Sequence, residues 1–304
     1  AAARTILLGS VPGKATPGIE DVRIRLGAAR PGEPVATYND VLGRLRDRLQ
    51  FLHGAGSRYW FEVRPNLNKT VADRVSRISE DDSYGFIASR LKEDGDRAVF
   101  SGKHIAPASN ADVPDEPAVR LVVVPPKFPY HAGNQDSAAL SWATDILNNR
   151  GNSPRLNRNM LVFAAFEEES HQALLESTKS YLAWKSISDD RRSLNLDENQ
   201  VEQAKTGWEK ALQAVDATIA DGYRWALMPQ RSAFDEDGKW KVGEETWRAI
   251  DTSQGLGATG SLARRIAFAL QSDELLLEAW SPMFLKRELD RWFWTDGVGH
   301  ISAR

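Results

Sequence analysis

Two apolar runs constrain this chain more than any other feature: Val119–Val124, interrupted only by Arg120, and Met160–Phe166. Each is too short for a buried helix and is apolar at successive positions. That is the pattern of a strand covered on both faces. Between them Ser137–Asn148 has helical spacing, and Gly151 is its stop signal. After them Glu167–Ile187 reads as a long helix, with Glu167, Glu168 and Glu169 at its electropositive start. Strand, helix, strand, helix in this order implies parallel strands joined by right-handed crossovers. The expected fold class is mixed α/β, a βαβα layer of parallel strands flanked by winged-helix-like α+β modules.

The flanks divide at 1–79 and 193–304, leaving 80–192 as the α/β layer. In the first flank Thr5–Leu8 and the alternating Val22–Leu26 read as strands. Asp40–Leu52 is an amphipathic helix, Tyr59–Val63 a strand and Asn66–Arg77 a helix, together resembling a winged-helix or lid module. Residues 80–118 are acidic, with a helix near Tyr84–Leu91 and a long connection. In the last flank Asp197–Thr218 is a helix and Tyr223–Met228 a strand closed by Pro229. Lys239–Val242 and Thr246–Asp251 are strand candidates, followed by a Gly-rich turn at 255–260. Ser261 caps a helix to Leu270. Asp273–Trp280 and Pro282–Arg291 follow as two helices, and a hairpin is expected around Trp294–Ile301. The strand-like starts at both ends fit a segment cut from something longer.

Composition removes several function classes. There is no cysteine, which excludes disulfides, thiolate nucleophiles and cysteine-bound zinc, and fits a cytosolic protein. No run approaches the roughly 20 apolar residues of a membrane span. A net charge of −3 argues against a polyphosphate binder overall, though not against a local basic face. The histidines His53, His104, His131, His171 and His300 show no zinc spacing. No serine has the setting of a nucleophile elbow, and no carboxylate–carboxylate–Lys cluster of a nuclease stands out.

The most tempting motif is Gly9-Ser10-Val11-Pro12-Gly13-Lys14-Ala15-Thr16. A phosphate loop needs four residues between its glycines and a hydroxyl directly after the lysine. Here the gap is one residue short, Ala15 takes the hydroxyl's place, and Pro17-Gly18 stop the helix that would hold phosphate. A surface loop is the better reading. Glu167-Glu168-Glu169 after an apolar strand has the form of the acidic strand end that grips Mg²⁺ in ATPases, but three glutamates there more often serve as a helix start. Arg58, Arg64, Lys69 and Arg74 form a segment whose cations suit the phosphates of ATP or nucleic acid, a solvated charged face being the plainer reading. Arg155 and Arg158 before the second apolar run, and Lys286, Arg287 and Arg291 on a late helix, are candidate nucleic-acid contacts. Salt-bridged surfaces are the plainer reading for both.

The segments Arg4–Ser10, Gly18-Ile19-Glu20, Arg23–Gly27, Arg58–Phe61, Pro65–Asn68, Asp73-Arg74, Pro154–Leu156 and Arg158-Asn159 carry a resemblance. It continues through Leu161–Phe163, Tyr181–Trp184, Leu196-Asp197, Gln200, Asp273–Leu276 and Glu288–Arg291. In collinear order they resemble the region downstream of the nucleotide-binding core in a family of large bacterial and archaeal P-loop (AAA+ class) ATPases. That family is a domain of unknown function numbered four-nine-nine, and it includes PglY-like proteins of BREX-type phage defence. The resemblance implies a nucleotide or partner role for Arg58, Arg64 and Arg74. It implies ATP and Mg in the parent protein, with no cofactor or metal in this segment itself. Its partners would be the ATPase core, other defence-system subunits and double-stranded DNA, with no membrane. The expected function is to couple ATP-driven change to complex assembly or DNA engagement, without catalysis by the segment alone. The rivals are a DNA-binding winged-helix module and a nuclease effector.

Overall fold

The computed structural model of the chain describes residues 1–10, 18–29, 35–49, 51–62, 66–134, 136–231, 245–253, 260–276 and 278–292. In chain order the elements are α1 (Ala2–Gly9), β1 (Ile19–Glu20), α2 (Asp21–Ala28), α3 (Val35–Arg48), β2 (Leu52–Ala55), β3 (Arg58–Phe61), α4 (Leu67–Val75) and α5 (Glu80–Glu93). Then come β4 (Gly102–Ile105), β5 (Arg120–Val123), α6 (Ala138–Asn148), the two-residue strands β6 (Asn149–Arg150) and β7 (Ser153–Pro154), and β8 (Leu161–Phe166). The chain ends through α7 (His171–Asp189), α8 (Glu198–Gly222), β9 (Tyr223–Arg231), β10 (Glu245–Asp251), α9 (Leu262–Ser272) and α10 (Pro282–Trp292). No helix among the described residues is long and apolar enough to cross a membrane.

The elements fall into two compact units, each built from two stretches of chain: 1–89 with 170–219, and 90–169 with 220–304. The second unit holds the strands and first helix of the expected α/β layer, while α7, expected as its second helix, belongs to the first unit. Its sheet runs β10-β9-β8-β5-β4. β4, β5 and β8 are parallel, while β9 is antiparallel to both β8 and β10. Every residue of β8 is buried, as are Leu121, Val122 and Val123 of β5. On one face Val122, Phe163, Ala165 and Leu227 pack against Leu140, Ala143, Ile146 and Leu147 of α6. The alternate residues Leu121, Val123, Val162 and Ala164 are buried too, so both faces are covered. At the end of α8, Gly222 lets the chain pass the Phe166 ring. A Cβ there would lie 2.1 Å from it.

Two strand assignments near this sheet change. Gly102–Ile105, expected as connection, is an edge strand, and its mixed Gly-Lys-His-Ile sequence hid it. β9 continues through Pro229, which pairs with Trp247 of the edge strand β10. β9 and β10, from the stretch expected to form a second α+β unit, thus complete the central sheet. Asp273–Trp280, expected as a helix, forms turns where described. Lys239–Val242 and the Trp294–Ile301 hairpin lie outside the described residues.

The first unit begins with a lobe of helix, strand, two helices and two strands. Its three-stranded antiparallel sheet has the order β1-β3-β2. Helix–strand–helix–helix–strand–strand, with the first strand beside the last, is the winged-helix arrangement. Thr5–Leu8 and Val22–Leu26 are helical here, not strands. Val22, Ile24 and Leu26 alternate as a strand would. Yet only Ile24 is buried, together with Ala28 one turn on, while Val22 and Leu26 are exposed. Five residues of alternation fit either period, and packing chose the helical one. Ile6, Ile24, Leu42 and Leu52 form the lobe's small core. Gly18, at φ +86°, touches β3 so closely that a Cβ would sit 2.6 Å from the Tyr59 carbonyl oxygen.

Helices α4, α5, α7 and α8 supply the rest of this unit. Asn66 caps α4 by accepting from Asn68 N–H, and its Nδ2 donates to the Leu52 carbonyl at 2.8 Å. Leu67, Ile187 and Ala204 form a core with Trp184 and Leu196 against it. Phe86 stacks on Tyr181 at 4.5 Å. Asp197 accepts from Gln200 N–H at 2.8 Å, and Gln200 Oε1 accepts from Asp197 N–H at 3.4 Å. This reciprocal cap starts α8.

Candidate functional site

Because β10 runs with β8, the strand ends Ile105, Val123, Phe166 and Asp251 share one edge of the sheet, the carboxyl edge where open α/β sheets bind ligands. The polar side chains that gather at this edge come from far apart in sequence. Glu167, directly after β8, is 8% exposed. Its carboxylate accepts from Trp225 Nε1–H and lies 3.9 Å from Arg224 Nε. Arg224 grips Asp251 with both Nε, at 3.1 Å, and Nη2. The hydrogen bond that Arg224 donates to Asp251 raises the guanidinium pKa above its ordinary value. Burial works to raise Asp251, but the bonds from Arg224 and Ser253 outweigh it and hold the carboxyl below the usual range.

The loop after β5 closes over this network. Tyr130 N–H donates to the Phe166 carbonyl at 2.8 Å, and Glu168 N–H donates to the Tyr130 carbonyl at 3.0 Å. The Tyr130 ring meets Trp225 edge-on at 5.2 Å, and burial raises the phenol's pKa. Next to it His131 Nδ1 lies 2.8 Å from Glu168 Oε2, with both side chains more than half exposed. The three glutamates therefore part company: Glu167 turns inward, Glu168 holds His131, and Glu169 is exposed. They precede α7 through a short 3₁₀ turn rather than opening it directly. In the Glu167–Arg224–Asp251 network one guanidinium faces two carboxylates, and its close pair is with Asp251. What faces outward is an imidazole held by a carboxylate, a pair that can hydrogen-bond a polar group. Among the described residues no group of three or more His, Asp or Glu could hold a metal ion.

Several of the basic candidates pair with neighbouring groups of the fold. Arg58 donates to the Gly18 carbonyl at 2.8 Å and to Glu20 at 3.3 Å, tying β3 to β1. Lys69 pairs with Asp73 one turn along α4. Arg74 reaches from α4 to α7, where it donates to Ser186 Oγ at 2.7 Å and Asp190 at 2.8 Å. It borders a cleft of about 600 Å³ lined also by Arg77, Ile78, Asp82 and Leu182. Arg64, and Lys14 with the rest of the Gly-Lys turn from Val11 to Pro17, lie outside the described residues.

Arg155, read as a nucleic-acid contact, is 3% exposed. It donates to the carbonyls of Asn110, Val113, Pro114, Ile146 and Asn149. Burial lowers its pKa. It is a keystone for the loops around β6 and β7 and offers no open face to a duplex. Arg158 pairs with Asn148 and Glu245. Arg287 pairs with Glu274 at 2.8 Å and Glu288 at 3.3 Å and lies over the Phe284 ring. Lys286 is exposed on α10, and Arg291 lies in the same helix.

Sequence reasoning does not find His131, Arg224, Trp225 and Asp251 as a group. The one local signal is the acidic end of β8. Its partners stand 36 to 84 residues away along the chain, and only strand pairing brings them together. In comparisons with known proteins, no family model, no curated protein and no solved structure matches this chain.

Proposed function

We propose that this chain is the coupling segment of a larger P-loop ATPase of the phage-defence type, passing an ATP-driven change to complex assembly or DNA engagement without catalysing a reaction alone. The observation that supports this most is the Arg74 strut. It joins α4 to α7 through Ser186 and Asp190 at the rim of a cleft. Asp190 is about half exposed, so a phosphate or carboxylate from outside can compete for the guanidinium and free α7. α7 follows β8 and the Glu167 network in the chain, so a shift in this helix has a direct covalent route to the sheet's carboxyl edge.

The test is partner- or DNA-stimulated ATP hydrolysis by the parent ATPase carrying Arg74→Ala. Basal hydrolysis stays near wild type while the stimulation falls by about tenfold, a change of about 1.4 kcal/mol in coupling. Unchanged stimulation contradicts the reading.

A second reading, duplex binding by the winged-helix lobe, has its own support. Residues 1–79 hold 13 Lys and Arg against 7 Asp and Glu, in a chain whose net charge is −3. Arg44 and Arg48 are exposed on α3, the helix that a winged-helix unit would lay in a groove. Arg44→Glu with Arg48→Glu would then abolish salt-sensitive duplex binding, and charge reversal at Lys286 and Arg287 would not.

A further inference from the structure

The outer faces of α1 and α2 expose a concentration of aliphatic side chains that neither reading explains. Leu7 is 59% exposed, Leu8 76%, Val22 63% and Leu26 81%. A lone exposed leucine needs no explanation, but Leu8, Val22 and Leu26 stand together on the solvent side of two short helices that meet where Thr5 faces Gly27. The inner faces are already satisfied: Ile6 of α1 and Ile24 of α2 sit in the lobe's core. Val22 and Leu26 are one turn apart and share the outward face of α2.

Charge on this surface is one-sided. Arg4, one turn before Leu8, and Arg23, beside Val22, are both exposed, and neither makes an ion pair among the described residues. The nearby acids are engaged, Asp21 by Arg25 and Glu20 by Arg58. The surface is thus aliphatic with Arg4 and Arg23 among its side chains, and its local carboxylates are paired.

We infer that the outer face of α1 and α2 is a docking surface for an acidic amphipathic helix of a partner protein. Such a helix would set leucine-type side chains on Leu8, Val22 and Leu26 and carboxylates against Arg4 and Arg23. A nucleic acid backbone would gain nothing from the aliphatic side chains. A symmetric pairing of two copies would place like charges together. The inference rests on the reading of this chain as part of an assembly, but its test measures neither ATP hydrolysis nor DNA.

The probe is a fluorescein-labelled helical peptide of Leu and Glu, with Leu at i, i+3 and i+4 positions, titrated with the whole chain and followed by anisotropy. Saturable binding is expected, weakened at least about tenfold by Leu26→Asp, by Leu8→Asp and by Arg23→Glu, and weakened by salt. These positions are exposed, so thermal unfolding of each variant should match wild type. The two aspartate variants guard against misfolding of either one. Absence of binding, equal binding of the same peptide with Lys for Glu, or indifference to the three variants overturns the proposal. Binding of phosphatidylserine vesicles in place of the peptide also overturns it, in favour of a lipid surface.

Discussion

The five-stranded sheet and the winged-helix lobe bury their apolar residues in opposite ways. In the sheet, successive residues of β5 and β8 disappear from solvent because helices or loops cover both faces. In the lobe, α1 buries Ile6 alone and α2 only Ile24 and Ala28, and their other aliphatic side chains stay outside. A region covered on both sides is built for rigidity and tolerates little change. A region covered on one side keeps surface for something else to cover. The polar groups follow the same division. The sheet unit answers buried charges internally, as Arg155 and the Glu167–Arg224–Asp251 network show. The lobe leaves Arg4 and Arg23 at its surface.

Mutations can break this contrast. Phe163→Ala removes a fully buried ring from the sheet's centre and is expected to cost about 3–5 kcal/mol in urea unfolding. A loss under about 1 kcal/mol would mean that the sheet is not the rigid element. Arg155→Ala leaves carbonyls of five residues without their shared donor and should cost about 3 kcal/mol, with no rescue by lysine, whose point-like ammonium cannot span them. In the first unit, Asn66→Ala removes the α4 cap and the bond to Leu52 and should cost about 1–2 kcal/mol.

The smallest effect is one of pH. Burial, then the charges of Arg120 and Arg155, depress the pKa of His104 in β4, against a weaker pull from Asp112. Below about pH 6.5 the unfolded chain takes up a proton that the folded imidazole resists. Stability of the sheet unit should therefore fall as pH drops through that value, and should be whole above it. His104→Asn should flatten the urea-midpoint profile between about pH 7 and about pH 5. An unchanged slope would mean that His104 carries none of this pH dependence.

The same contrast governs what could be read in the sequence. β5 and β8 were legible because burial on both faces writes itself as successive apolar residues, and α6 because its apolar residues recur at helical spacing. β4 was not, since an edge strand with Gly102, Lys103 and His104 has one polar side. Thr5–Leu8 and Val22–Leu26 misled because exposed leucines imitate a strand's pattern when their helical neighbours are few. In the lobe the winged-helix expectation rested on the helix, strand and helix of Asp40–Arg77, whereas the observed order also needs β1 and β2, which were not read as strands, and α1 and α2, which were read as strands. At the site, Glu167 was visible as the acidic end of a strand. Its partners were not, because Arg224 and Asp251 are placed by antiparallel pairing across a long excursion through α7 and α8.

The central claim is that this segment passes on a nucleotide-driven change without holding the nucleotide itself. Its most direct test is titration of the whole chain with a fluorescent ATP analogue and Mg²⁺. No saturable signal is expected at concentrations where P-loop enzymes are filled, and no change on Lys14→Ala. Tight, Mg²⁺-dependent binding that Lys14→Ala abolishes would contradict it.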